Sequence, residues 1–189
     1  IALIIVFQQE LRRFLLVIGN RYIFSRRFSP GRFFFPVKEE QGSTREAEEI
    51  VRACESMASK SIGALIVIGR KSSLDMYTDA GEILKAQISA ELLETIFFRN
   101  TPLHDGAVLI EGDIILAARC PLPVTDQVNL PPHFGMRHRA AVGMSEHSDA
   151  LVIVISEESG FISVVETGEI TENITPNELR NTLLREKIW

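Results

Sequence analysis

Apolar residues recur along this chain with two different periods, and the switches between them outline an α/β domain. Ala47, Ile50, Val51, Cys54, Met57 and Ala58 fall at helical spacing, and Ser43-Thr44-Arg45-Glu46 ahead of them has the spacing of a capping box. The pattern predicts an amphipathic helix opening at Ser43. Between Gly63 and Gly69 the run Ala64-Leu65-Ile66-Val67-Ile68 is continuously apolar, the mark of a strand covered on both faces. Asp75 to Lys85 shows no clean period and reads as irregular and exposed. Ser89 then caps a second helix with Leu92, Leu93, Ile96 and Phe97 inward, ended by Asn100 and Pro102.

A hairpin follows, from Ala107 to Ile110, through Glu111-Gly112-Asp113, and back along Ile114 to Cys120. Pro121, Pro123, Pro131 and Pro132 frame a long loop that ends at Arg137-His138-Arg139. A short helix is expected from about Ala140 to Ser145. Leu151 to Ile155 reads as another buried strand, turned by Glu157-Glu158-Ser159-Gly160 into Phe161 to Val165. Thr167-Gly168 marks a further turn. Thr175 caps a terminal helix with Pro176 at its first position, where a missing N–H costs nothing. Helices before and between strands, together with two hairpins, predict one globular α/β domain with a mixed central sheet flanked by helices. At 189 residues the chain is long enough for one full core, and 46% hydrophobic content excludes a disordered chain.

Charge divides the chain unevenly. Residues 1–38 hold seven cations against Glu10 alone, a net of +6, which leaves −11 on the rest of a chain whose total is −5. The basic part opens on Ile1-Ala2-Leu3-Ile4-Ile5-Val6-Phe7, too short to span a bilayer by itself. Cations follow that run directly, as they do on the cytoplasmic side of a transmembrane helix. Residues 1–20 therefore read as a juxtamembrane helix ending a truncated transmembrane region, and 21–42 as a linker. The globular domain takes 43–189. The bland alternative for the first segment is an amphipathic docking helix with Phe7, Leu11, Phe14, Leu15 and Ile18 on its apolar stripe. Phe33-Phe34-Phe35 cannot share one face, so it suits packing better than a stacking platform for nucleic acid, and no nucleic-acid partner is expected. Cys54 and Cys120 match no metal or redox spacing and read as reduced core residues.

Three short clusters carry chemistry. In Asn100-Thr101-Pro102-Leu103-His104-Asp105-Gly106-Ala107 a turn bearing an imidazole and a carboxylate opens into a strand. Asp105 can bind Mg²⁺ or Mn²⁺ or take a proton from a hydroxyl, and His104 adds a nitrogen that favours Mn²⁺. The competing reading is a plain Asp-Gly turn. Arg137 and Arg139 flank His138 beside the start of a short helix, where guanidinium groups and helix donors suit phosphate. The competing reading is a solvated basic loop. Ser156-Glu157-Glu158 ends a buried strand, where a hydroxyl can bond phosphate and a carboxylate can hold metal; a polar hairpin turn would look the same. His133 and His147 read as surface residues. Ser145, His147 and Asp149 lie too close in sequence to converge as a hydrolase triad, and no Walker loop, Gly-x-Ser-x-Gly or Gly-x-Gly-x-x-Gly is present.

In order and spacing, Asp105-Gly106-Ala107, Arg137-His138-Arg139 and Ser156-Glu157-Glu158 resemble the diadenylate cyclase (DisA_N) domain. With Phe7-Gln8-Gln9-Glu10-Leu11-Arg12-Arg13 and Gly63-Ala64-Leu65-Ile66-Val67, the chain is similar to its membrane-bound CdaA type. The resemblance implies condensation of two ATP into cyclic di-AMP and two pyrophosphates, with Mn²⁺ or Mg²⁺, across a face-to-face homodimer. It implies that the motif residues Asp105, Gly106 and Ala107 and the cluster Arg137, His138 and Arg139 form the catalytic set, with Asp105 orienting the 3′-hydroxyl. Arg137, His138, Arg139, Ser156, Glu157, Leu122 and Met136 are the implied ATP-binding residues, the backbone near Leu122 reading the adenine edge. His104, Asp105 and Glu158 are the implied metal ligands. Pro121 stands where many relatives carry Tyr, and Met136 where Thr often precedes Arg-His-Arg, so both bear on the nucleoside pocket.

The resemblance also implies a cell-membrane location with the catalytic domain in the cytoplasm, tethered through a segment before residue 1, and it leaves room for regulatory protein partners. Two other readings stay open on the residues alone. His104-Asp105 invites comparison with metal-dependent HD-type phosphohydrolases, although those are helical and this pair feeds an apolar β-run. A non-catalytic nucleotide-binding module is the other.

Overall fold

The computed structural model describes residues 42–128 and 130–185. These residues belong to one compact unit, in which a seven-stranded mixed sheet is covered on both faces. The expected juxtamembrane helix, and the linker up to residue 41, lie outside the described residues.

The long helix α1 spans Gly42–Ser59. It already includes Ser43, the residue expected to cap it, a difference of the size by which helix ends ordinarily vary. Strand β1 (Ala64–Ile68) is buried along its whole length, as a run without alternation should be. A single 3₁₀ turn, Asp75–Tyr77, leads to β2 (Glu82–Gln87). Here the structure corrects the expectation of an irregular segment. β2 is an edge strand with Glu82, Ile83, Lys85 and Gln87 exposed, its register against β4 shifts between Ile83 and Ala86, and Lys85 has φ 49°. A bulged edge strand has no clean period to read.

Helix α2 (Ala90–Phe97) starts as predicted, with Ser89 Oγ accepting from the Leu92 amide. The hairpin β3 (Ala107–Glu111) and β4 (Ile114–Cys120) turns on Gly112 at φ 58°. Helix α3 (Met136–His147) begins four residues before its expected start. Strands β5 (Leu151–Ile155) and β6 (Ile162–Glu166) form the second hairpin, and the short β7 (Glu169–Thr171) extends it past the Thr167-Gly168 turn. Helix α4 (Pro176–Arg185) closes the described chain. A reciprocal pair caps it: Thr175 Oγ1 accepts from the Glu178 amide, and the Glu178 carboxylate accepts from the Thr175 amide and hydroxyl.

The strand order is β2-β4-β3-β1-β5-β6-β7, with β1 and β3 parallel and every other pair antiparallel. Alternation along the strands divides the core in two. One cluster joins Ile66, Ile68, Val108, Ile110, Ile153 and Ile155 to α1, α2 and α4. The other joins Val67, Leu109, Val152 and Val154 to Ala141, Val142 and Met144 of α3. Cys54 and Cys120 are buried free thiols, pushed up by burial to about 12 and about 11, so neither carries a thiolate at neutral pH. Among the described residues, no helix is long and apolar enough to cross a membrane.

Candidate functional site

Parallel β1 and β3 start at the same edge of the sheet at which antiparallel β4 and β5 end, and α3 crosses that edge on one face. The loops meeting there enclose a pocket of about 530 Å³. Asp105 and Gly106 reach it from the mouth of β3, Ser156, Glu157 and Glu158 from the end of β5, and Arg137 and His138 from the first turn of α3. The rest of the lining includes Pro121, Leu122, Val124 and Met136, whose side chains are apolar. A lining of both kinds suits a ligand that has an apolar part and a charged part.

Gly106 is required by its backbone. Its φ is 123°, and a Cβ there would lie 2.8 Å from the carbonyl carbon of Arg119. The loop can therefore press onto β4 and leave Asp105 exposed in the pocket mouth. His104 lies outside this pocket and lines an adjoining one. Its Nδ1 is 2.6 Å from the Thr101 carbonyl oxygen. A carbonyl can only accept, so Nδ1 carries the proton and Nε2 keeps the lone pair, the tautomer a metal-binding imidazole needs. Ala107 is a buried β3 residue whose side chain faces the α3 core, not the pocket.

The earlier start of α3 changes the Arg-His-Arg cluster. With Gly135 as its extended N-cap, all three residues are helical. Positions two apart on a helix point about 200° away from each other. Arg137 lines the pocket and Arg139 does not. The Arg139 carbonyl instead accepts from the Thr125 amide at 3.1 Å and ties the Pro-framed loop to α3. Arg137 Nη1 is 3.0 Å from Glu157 Oε2, so the guanidinium and one of the carboxylates of Ser156-Glu157-Glu158 are already paired. Ser156 Oγ accepts from the Glu158 and Ser159 amides, which fixes the turn that presents Glu158.

His138 is buried, and its ring lies on Phe134 with centroids 4.7 Å apart and planes within 10°. Burial lowers its proton affinity, and His133 acts in the same direction against the opposing carboxylates Glu172 and Glu158. His138 thus lines the pocket as a buried, stacked ring whose protonation is disfavoured. His133 is exposed, as read from sequence, and it also lines the pocket, bonds Glu172 Oε1 at 3.0 Å and meets Phe134 edge-on. Its place in the Pro-framed loop just ahead of Arg-His-Arg is the one signal that could have flagged it. Cys120 also lines the pocket as well as the core.

Among the described residues, no group of three His, Cys, Asp or Glu side chains could hold a metal by itself. Asp105 and Glu158 nevertheless share the pocket, and Mg²⁺-type ions commonly take one or two carboxylates and complete their shell with phosphate oxygens and water. The donor set fits a hard cation brought in with a phosphate. It does not fit an HD-type hydrolase, because His104-Asp105 sits in a loop feeding β3 and not on a helix. The Ser145, His147 and Asp149 side chains do not converge: Ser145 bonds the Val142 carbonyl, His147 the Gly143 carbonyl, and Asp149 the amides of Lys71 and Ser72.

Residues 51–170 match the family described as DisA bacterial checkpoint controller nucleotide-binding, the DAC domain. The chain is 42% identical over 188 residues to a diadenylate cyclase of Listeria monocytogenes, a match covering 100% of this chain and 66% of that protein. It is 43% identical over 183 residues to the cyclic di-AMP synthase CdaA of Bacillus subtilis, covering 97% of this chain and 64% of that one. The chain therefore spans about two thirds of the length of these relatives. A crystal structure of a DacA double mutant from Staphylococcus aureus superimposes with a TM-score of 0.75 at 39% identity, covering 77% of this chain and 97% of that one.

Proposed function

This chain belongs to the DAC family of DisA-type nucleotide-binding domains, and from that premise we propose that it joins two ATP molecules into cyclic di-AMP and releases two pyrophosphates. The observation that carries this reading is the meeting of Asp105, Arg137, His138, Ser156 and Glu158 around one pocket that is also lined by the apolar Pro121, Leu122 and Met136. The adenine lies against Pro121, Leu122 and Met136, with backbone near Leu122 reading its edge. The triphosphate lies toward Arg137 and Ser156. Arg139 stands on the other side of α3 and contributes through the loop it holds.

In each half-reaction a 3′-hydroxyl oxygen of one ATP bonds to the α-phosphorus of the other, and the bond from that phosphorus to the β-phosphate oxygen breaks. The hydroxyl proton passes toward Asp105 and then to water. Such a transfer needs positioning and charge neutralisation more than covalent catalysis, and these walls supply both. Asp105 and Glu158 are the residues that would hold a divalent Mn²⁺ or Mg²⁺ ion together with phosphate oxygens, whereas His104, expected beside them, lines the adjoining cavity. When bound, the ion supplies neutralisation of charge on the phosphates. One pocket accommodates one ATP, so two copies of the chain face each other to complete the reaction. The cationic segment 1–38 fits a tether at the inner face of the cell membrane, with this domain in the cytoplasm and open to regulatory proteins.

Incubation with labelled ATP and Mn²⁺, followed by chromatography of the products, tests the proposal. Cyclic di-AMP and pyrophosphate are expected. Mononucleotide with free phosphate would show a hydrolase, and unchanged ATP with measurable nucleotide binding would show a non-catalytic module.

A further inference from the structure

Beside the nucleotide pocket lies a second cavity of about 490 Å³, lined by Gly63, Arg99, Asn100, His104, Arg137 and Glu157. The two share Arg137 and Glu157, so the ion pair between those side chains is the partition. Gly63 makes room for it, since a Cβ there would sit 2.5 Å from Arg137 Nη1 and 3.1 Å from Glu157 Oε2. The cavities differ in charge. Asp105, Glu157 and Glu158 face Arg137 in the nucleotide pocket. In the side cavity Arg99 and Arg137 face Glu157 alone, and that carboxylate is already committed to Arg137. Arg99 is exposed and steadied by one bond, from Nη2 to the Ser61 carbonyl at 3.1 Å, and Asn100 holds the next turn at φ 68°.

We infer that this side cavity is a polyphosphate site, which takes the β- and γ-phosphates of bound ATP or the pyrophosphate they become. The inference rests on the nucleotide reading above. A polyanion moves down the charge gradient from a pocket walled by carboxylates to one walled by guanidinium groups. Arg137, on the partition, can exchange Glu157 for phosphate without leaving its place, because guanidinium binds both anions in the same forked geometry. Arg99 then receives the far end. The nucleoside and the reacting α-phosphate remain in the larger pocket, so Arg99 acts on the tail and not on adenine.

Calorimetric titration tests this without turnover, using inorganic pyrophosphate, a non-hydrolysable ATP analogue and AMP on wild-type protein and the Arg99→Gln variant. The substitution should weaken pyrophosphate by about tenfold, the scale of one charge-assisted hydrogen bond, and leave AMP unchanged. Equal weakening of the ATP analogue would assign the cavity to the tail of bound nucleotide. Weakening of pyrophosphate alone would assign it to the released product. Unchanged binding of both, or no pyrophosphate binding by wild type, would overturn the inference. A thermal melt matching wild type excludes misfolding as the cause, and Arg99→Lys should recover part of the affinity. Cyclic di-AMP formation is scored separately, so a protein that cyclises ATP but ignores Arg99→Gln would refute the side site alone.

Discussion

Asp105 is exposed at the mouth of β3, between a residue whose ring is tied back to the Thr101 carbonyl and a glycine pressed onto β4. Its carboxylate is displayed by its neighbours and supports none of the core. Asp105→Asn should therefore leave stability within about 0.5 kcal/mol of wild type, while cyclic di-AMP formation falls roughly 10²- to 10⁴-fold, the range for removing a positioned proton acceptor. Binding of a non-hydrolysable ATP analogue should persist. Wild-type turnover would remove Asp105 from the reaction. Residue type and place at a strand end marked Asp105, Gly106, Ser156 and Glu158, which all line the pocket, as candidates beside plain-turn readings. They could not find the Arg137–Glu157 pair, whose members are brought together by the crossing of α3 over β5. Nor could they separate Arg137 from Arg139, since that depends on where a helix starts.

Helix α3 is where element boundaries matter most. Its first turn follows a Pro-framed loop and carries Met136, Arg137 and His138, a sequence without apolar periodicity, so the readable part of the helix began only at Ala140. The earlier start is held in part by the Phe134–His138 stack, a contact between the loop and the second residue after Met136. Strand β2 was unreadable for the opposite reason, its apolar Ile83 being exposed on a bulged edge. Burial of His138 gives α3 a pH dependence. Its folded proton affinity is below the ordinary value of 6.5, so the unfolded chain takes up the proton first. That contribution to stability is present above about pH 6.5 and declines as pH falls toward the folded value. Ring NMR should show His138 titrating below a free imidazole. Phe134→Ala, which opens the ring to water and costs roughly 3 kcal/mol in packing, should move that titration upward. An unchanged titration would show that the stack does not set it.

At the scale of the molecule, the order of the strands was not legible, whereas a mixed central sheet flanked by helices was, because uninterrupted runs such as Leu151–Ile155 read as strands buried on both faces. The assembly was less so. The described residues offer three carboxylates, one of them paired with Arg137, around one edge of the sheet, no three-donor metal group, and a single nucleotide-sized pocket flanked by the smaller side cavity. A reaction that joins two nucleotides then needs a second chain to bring the attacking hydroxyl. If that encounter is weak, activity per chain rises with protein concentration until the dimer saturates, and light scattering at the same concentrations locates the transition. Mixing Asp105→Asn with an inactive Arg137→Ala chain sharpens the test. In the proposed dimer each chain holds one ATP, so each mixed pair has one intact hydroxyl-orienting carboxylate and one intact phosphate clamp. If a single half-reaction needs Asp105 from one chain and Arg137 from the other, the mixture should form the linear dinucleotide that neither variant makes alone. A specific activity constant across the transition, with monomer predominating, would mean that one chain performs both half-reactions by itself.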